Sequence, residues 1–71
     1  MDVRRLVGAN VVELRRQRGL TQEQLAERSG FSQQYLSGLE QGRRNPTVVT
    51  LAELATALAA DPADLLRIRT L

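Results

Sequence analysis

Two helix-start devices stand close together, one at Thr21 and one at Ser32. At the first, Thr21 and Gln24 form a capping box, and Leu20 and Leu25 flank it as a hydrophobic staple. At the second, Ser32 can cap while Phe31 and Leu36 staple. Gly30 lies between them and suits the left-handed end of the preceding helix. Each staple sets the direction in which its helix starts. Two in such short succession therefore set the angle between two short helices, 22–29 and 33–41.

The flanking sequence is helical as well. No beta-branched run alternates with polar residues over a strand's length, and no Asn-Gly or Asp-Gly hairpin turn occurs. A first helix is expected from Asp2 to Gln17, with Val3, Val7, Val11 and Leu14 on one stripe and Gly19 just beyond. Asn45-Pro46 is an extended break, after which Thr47 caps a fourth helix running to Ala60. Leu51, Leu54, Ala55 and Leu58 would line its buried side. Asp61 and Pro62 start a fifth helix, over 62–69, with Asp64 completing an acidic first turn. The expectation is an all-α, compact five-helix fold forming a single domain over 1–71.

At 71 residues the chain holds one modest core. A domain this small buries only about 60% of its unfolded surface, so self-association would help it. It has neither cysteine nor histidine. Disulfides, thiolate zinc sites, cysteine nucleophiles and the commonest general base are therefore excluded. The acids form no paired-carboxylate or metal-ligand constellation, so no enzyme, cofactor or metal is expected. No apolar run approaches the roughly 20 residues that span a bilayer, and the N-terminus lacks a signal-peptide form. No membrane contact and a cytoplasmic location are expected.

Every cationic side chain is an arginine. Eight of the ten precede Pro46, with five acids, while two arginines and three acids follow. That asymmetry favours an anionic partner for the N-terminal part, although solvated helix faces would show the same count.

The helix after Ser32 carries an unusual outer face. With Gln33 at zero on a wheel of about 100° per residue, Ser37, Gln41 and Gln34 fall at about 40°, about 80° and about 100°. Leu36 and Leu39 fall at about 300° and about 240°, well separated from them. A helix exposed only to water usually carries Glu and Lys there. Glutamines instead present paired donors and acceptors that match adenine N6 and N7 in the major groove. Gln33, Gln34 and Ser37 are thus candidate base contacts with double-stranded DNA; the alternative is plain solvation. Gln22, at the positive end of the helix 22–29, and Arg43 and Arg44, after the third helix, are candidate phosphate contacts. Tyr35 lies between faces and could either pack on the core or reach a phosphate. Gly38, in mid-helix, fits either a close approach to DNA or tight packing against another helix.

Taken together, Leu-Arg-Arg-Gln-Arg-Gly-Leu-Thr-Gln-Glu-Gln-Leu-Ala at 14–26 and Gly-Phe-Ser at 30–32 form a specific pattern. Tyr-Leu-Ser-Gly-Leu-Glu-Gln-Gly-Arg-Arg-Asn-Pro at 35–46 and Leu-Ala-Glu-Leu-Ala-Thr-Ala-Leu at 51–58 extend it. This pattern resembles the Cro/C1-type, XRE-like helix-turn-helix family, which includes phage repressors of the lambda kind, over about residues 7–68. The resemblance implies a lambda-repressor-like domain that binds operator DNA, usually as a homodimer. It implies base or phosphate contacts for Gln22, Gln33 and Gln34, and backbone contacts for Gln41 and Arg43. It also implies an ion pair between Arg15 and Glu40, which could otherwise be unconnected surface charges. Many members place a long polar side chain where this chain has Gly38, leaving a third base contact either absent or supplied by Ser37. The functional expectation is a transcriptional regulator, a repressor in first place. Antitoxins of toxin pairs and controllers of restriction-modification operons share the fold, so a toxin or other protein partner is an alternative. A protein-interaction module without DNA binding is a further one. Leu65, Ile68 and Leu71 are the expected dimer surface.

Overall fold

Each helix begins at a side chain that accepts a hydrogen bond from its own first turn. In the computed structural model, which describes residues 1–68, Asp2 caps α1 (Val3–Gln17) by accepting from the Arg4 amide. Thr21 starts α2 (Gln22–Ser29): the Gln24 amide donates to Thr21 Oγ1 at 3.1 Å and the Thr21 amide donates to Gln24 Oε1 at 2.9 Å. Ser32 starts α3 (Gln33–Glu40), accepting from the Tyr35 amide at 3.0 Å. Thr47 starts α4 (Val48–Ala57) in the same way, through the Thr50 amide. Gly30, at φ 80°, turns the chain between α2 and α3 in the left-handed conformation that glycine adopts without steric cost.

The described residues contain no strand and four α-helices, not five. Where a fifth helix over 62–69 was expected, Pro62–Leu66 forms a 3₁₀ turn, and the chain is extended at Arg67, with φ −67° and ψ 126°. Asp61 and Asp64 do form a reciprocal capping box. The helix does not propagate because a distant residue takes its carbonyls. Asn10, fully buried on α1, donates from Nδ2 to Leu65 O at 2.9 Å and to Arg67 O at 3.0 Å.

α4 also stops short of Ala60. Ala59 turns left-handed at φ 51° without being a glycine. The guanidinium of Arg18 donates from Nε to Leu58 O at 2.8 Å and from Nη2 to Ala59 O at 3.2 Å, satisfying the carbonyls left at this helix end.

The core joins Val7, Val11 and Leu14 of α1 to Leu20, Leu25, Leu36, Leu39, Leu54, Ala55, Leu58 and Leu65. Every element contributes, so the helices cannot be separated without opening apolar surface. α1 and α3 approach closely at Gly8. A β-carbon on Gly8 would lie 2.5 Å from Leu39 O and 2.7 Å from Glu40 O. Only glycine lets the α1 backbone rest on the end of α3. That contact offsets the roughly 1 kcal/mol that a mid-helix glycine costs relative to alanine.

Two stability measurements test this packing. Leu36 is fully buried, so Leu36→Ala should cost about 2–5 kcal/mol in urea unfolding. Gly8→Ala should cost roughly 1–3 kcal/mol despite its better helix propensity, because the methyl meets backbone and not a movable side chain. A more stable Gly8→Ala protein would show that the crossing yields.

Candidate nucleic-acid interface

α3 is held by its apolar side: Leu36 and Leu39 are both 0% exposed. The opposite side is thereby turned outward. Gln33, Gln34 and Gln41 are exposed and Ser37 is half-buried. Gln41 Nε2 lies 3.3 Å from Ser37 Oγ, so these two side chains are tied to each other along the face.

This face forms the floor of an open depression of about 620 Å³, lined by Gln22, Gln33, Gln34, Ser37, Gly38, Gln41, Arg43 and Arg44. The turn between α2 and α3 brings Gln22 in from one side, and the loop after α3 brings the two arginines in from the other. Amides and hydroxyls occupy the centre and cations one rim. Both arginines are exposed. The Arg43 amide donates to Gly38 O at 2.9 Å, which folds the loop back onto the helix end.

Beneath the depression lies an ionic knot. Arg15 of α1 donates to Glu40 of α3 through Nε at 2.8 Å and Nη2 at 3.0 Å, a bidentate pair. Its Nη1 donates to Leu20 O, and Gln22 Nε2 donates to Glu40 Oε1 at 3.0 Å. Four segments meet here: α1, the loop before α2, the start of α2 and the end of α3. Donation to the Glu40 carboxylate raises the pKa of Arg15 above its ordinary value, outweighing partial burial. The guanidinium is charged at any physiological pH. Gln22 is therefore a side chain held in place, with its amide nitrogen already engaged.

Tyr35 packs against the core and stacks on Phe31 with ring centroids 5.3 Å apart. Its ring is also faced by the Arg44 guanidinium, 5.4 Å from the centroid. At Gly38 the three atoms nearest to the place of a β-carbon are all of one side chain. The atoms a β-carbon there would approach belong to Arg44: Nε at 3.0 Å and Cγ at 3.4 Å. The glycine is a notch filled by a side chain of the same molecule.

The apolar surface expected at the C-terminal end is corrected. Leu65 is fully buried in the core and unavailable to a partner, because the 3₁₀ turn pinned by Asn10 aims it inward. Ile68 is 61% exposed. Leu71 lies outside the described residues. Among the described residues no group of acidic side chains could hold a metal ion, and no helix is long and apolar enough to cross a membrane.

Three residues with structural roles escape a reading of the sequence: Gly8 under the end of α3, Asn10 at the C-terminal turn and Arg18 beyond the end of α4. A glycine in mid-helix and an asparagine beside an apolar stripe are visible anomalies, but their partners lie far along the chain.

Residues 11–65 match the family model described as Helix-turn-helix. The chain belongs to the Cro/C1-type helix-turn-helix family. It is similar to the uncharacterised HTH-type transcriptional regulator y4dJ of Sinorhizobium fredii, with 65% identity over 92% of this chain and 84% of that one. It is also similar to the immunity repressor protein of Bacillus phage phi105, with 44% identity over 73% of this chain and 36% of the repressor. Among solved structures, the restriction-modification controller protein C.AhdI of Aeromonas hydrophila superposes with a TM-score of 0.83 at 42% identity, covering 87% of this chain and 94% of the controller. As a member of this family the chain is a DNA-binding transcriptional regulator, and the depression over α3 is built by its helix-turn-helix.

The ionic knot of this helix-turn-helix protein is testable by a double-mutant cycle in urea. Glu40→Leu alone should cost about 3 kcal/mol, because it leaves the mostly buried Arg15 unpaired. Adding Arg15→Met should recover most of that loss, since an apolar pair needs no desolvation of charge. Equal losses that simply add would show that the two groups act independently.

Proposed function

We propose that this chain regulates transcription as a homodimer on a roughly palindromic operator, each copy laying α3 in the major groove. The outward polar face of Gln33, Gln34 and the half-buried Ser37 carries this reading, because leucines on the other side leave it turned toward base edges. Gln33 and Gln34 stand at the start of α3, the end that faces the bases in such motifs. Gln22, Gln41 and Arg43 lie around that face and act as phosphate contacts that set register. A domain of this size covers only roughly 600–1,000 Å² of DNA contact surface, so one copy alone binds weakly. Two copies occupy grooves about 34 Å apart. The exposed Ile68 remains the candidate dimer contact.

Repression is the first reading, supported by similarity to a phage immunity repressor. Control of a restriction-modification operon is the second, favoured by the near-complete overlap with the controller protein C.AhdI. Either role is a cytoplasmic one.

Selection of bound sequences from random double-stranded DNA, followed by sizing of the complex, tests the assignment. A half-site repeated with twofold symmetry and a mass of two chains per site are expected. Gln33→Ala should relax base preference more than total affinity; equal weakening on every sequence would contradict base readout. Arg43→Ala should weaken binding to all sequences and reduce the slope of log K against log salt by about 0.9, the value for one lost phosphate contact. An unchanged slope would remove Arg43 from the phosphate set.

A further inference from the structure

Arg44 follows α3 in the chain but its side chain lies back along the helix. Its Nε and Cγ stand where a side chain at position 38 would begin, 3.0 and 3.4 Å from the place of the missing β-carbon. Its guanidinium faces the Tyr35 ring at 5.4 Å, and that ring is itself fixed by stacking on Phe31. On the wheel that has Gln33 at zero and Gln34 at about 100°, Gly38 sits at about 140° and Tyr35 at about 200°. Arg44 therefore extends the reading face just past Gln34. Both residues line the same depression.

A cation–π contact at 5.4 Å from the ring centroid occupies no hydrogen-bond acceptor, so it does not use up the guanidinium's N–H groups. Among the described residues no acceptor takes them. Two parallel donors on a rigid plane, presented beside an amide that can read a base, match O6 and N7 of guanine. The ring and the glycine notch also restrict a side chain that would otherwise lose much rotamer freedom on binding.

Resting on the assignment of α3 as the DNA-reading helix, we infer that Arg44 is a specificity-determining residue that reads a guanine in the major groove. It takes the role that a long side chain at position 38 would otherwise fill. Tyr35 is its positioning residue, acting through its ring and not its hydroxyl. Arg44 thus leaves the set of phosphate contacts to which its place in the loop alone would assign it.

The test is selection from random double-stranded DNA with the wild type, Arg44→Ala, Arg44→Lys, Gly38→Gln and Tyr35→Phe, each checked for an unchanged melting transition. The wild type should favour guanine at one position of each half-site by about 5- to 150-fold, the range for one bidentate pair. Arg44→Ala should lose that preference and keep those at neighbouring positions. Arg44→Lys, with the charge but not the planar fork, should also lose most of it. Gly38→Gln displaces Arg44 and should shift the same position toward adenine. Tyr35→Phe keeps the ring and should keep the guanine. The inference is overturned if Arg44→Ala weakens all sequences by one factor and Arg44→Lys restores binding, the behaviour of a phosphate contact. It is also overturned if Tyr35→Phe abolishes the preference. A wild type that selects no motif at all would instead sink the reading of α3 itself.

Discussion

The crossing of α1 over the end of α3 governs the rest of the molecule. At Gly8 the backbones come closer than any side chain allows. At Arg15 and Glu40 the same two helices are joined by a bidentate ion pair whose side chains are only 15% and 8% exposed. A charge pair so far from water is stable only with good geometry and its remaining donors satisfied. Here Leu20 O takes a third arginine donor and Gln22 supplies a second partner to the carboxylate. One contact thereby fixes the pitch of α3 relative to the long helix behind it and the position of the first residue of α2.

That arrangement explains how so small a domain can present an orderly binding face. Binding by flexible side chains loses part of its energy to their ordering. The face of this protein is largely ordered beforehand: Gln22 is held by Glu40, Gln41 by Ser37, and Arg44 by Tyr35 and the gap at Gly38. Gln33, Gln34 and Arg43 are exposed, and their side chains are tied in this way to no neighbour among the described residues. For the proposed base readout, adaptable amides flanked by fixed partners would combine positional register with the freedom to match base edges.

The helix starts were legible because capping is local. Thr21, Ser32, Thr47 and Asp61 each act on an amide two or three residues away, so the sequence contains both partners within one turn. The ends were less legible. α4 stops at Ala57 where the left-handed Ala59 lets the amides of Ala59 and Ala60 turn back to Thr56 O and Ala55 O, and Arg18, forty-one residues before Ala59, takes the next two carbonyls. The fifth helix is a 3₁₀ turn because Asn10, fifty-five residues before Leu65, does the same. Leu65 looked like surplus apolar surface for the same reason: its direction depends on a bond that no local pattern encodes. In α3, a helical wheel separates leucines from glutamines, and the exposures follow that separation. The same wheel cannot show that Arg44, outside the helix, folds back across Gly38.

By itself, then, the order of residues determined where helices begin, which of their sides are apolar, and that α3 carries amides outward. These are properties of hydrogen bonds and periodicities spanning a single turn. The tertiary structure alone decided where the C-terminal turn stops, that Leu65 is core, how near α1 approaches α3, and which side chain fills the notch at Gly38. Each of these depends on groups distant in the chain meeting at bonding distance, and such meetings exist only once the helices have packed.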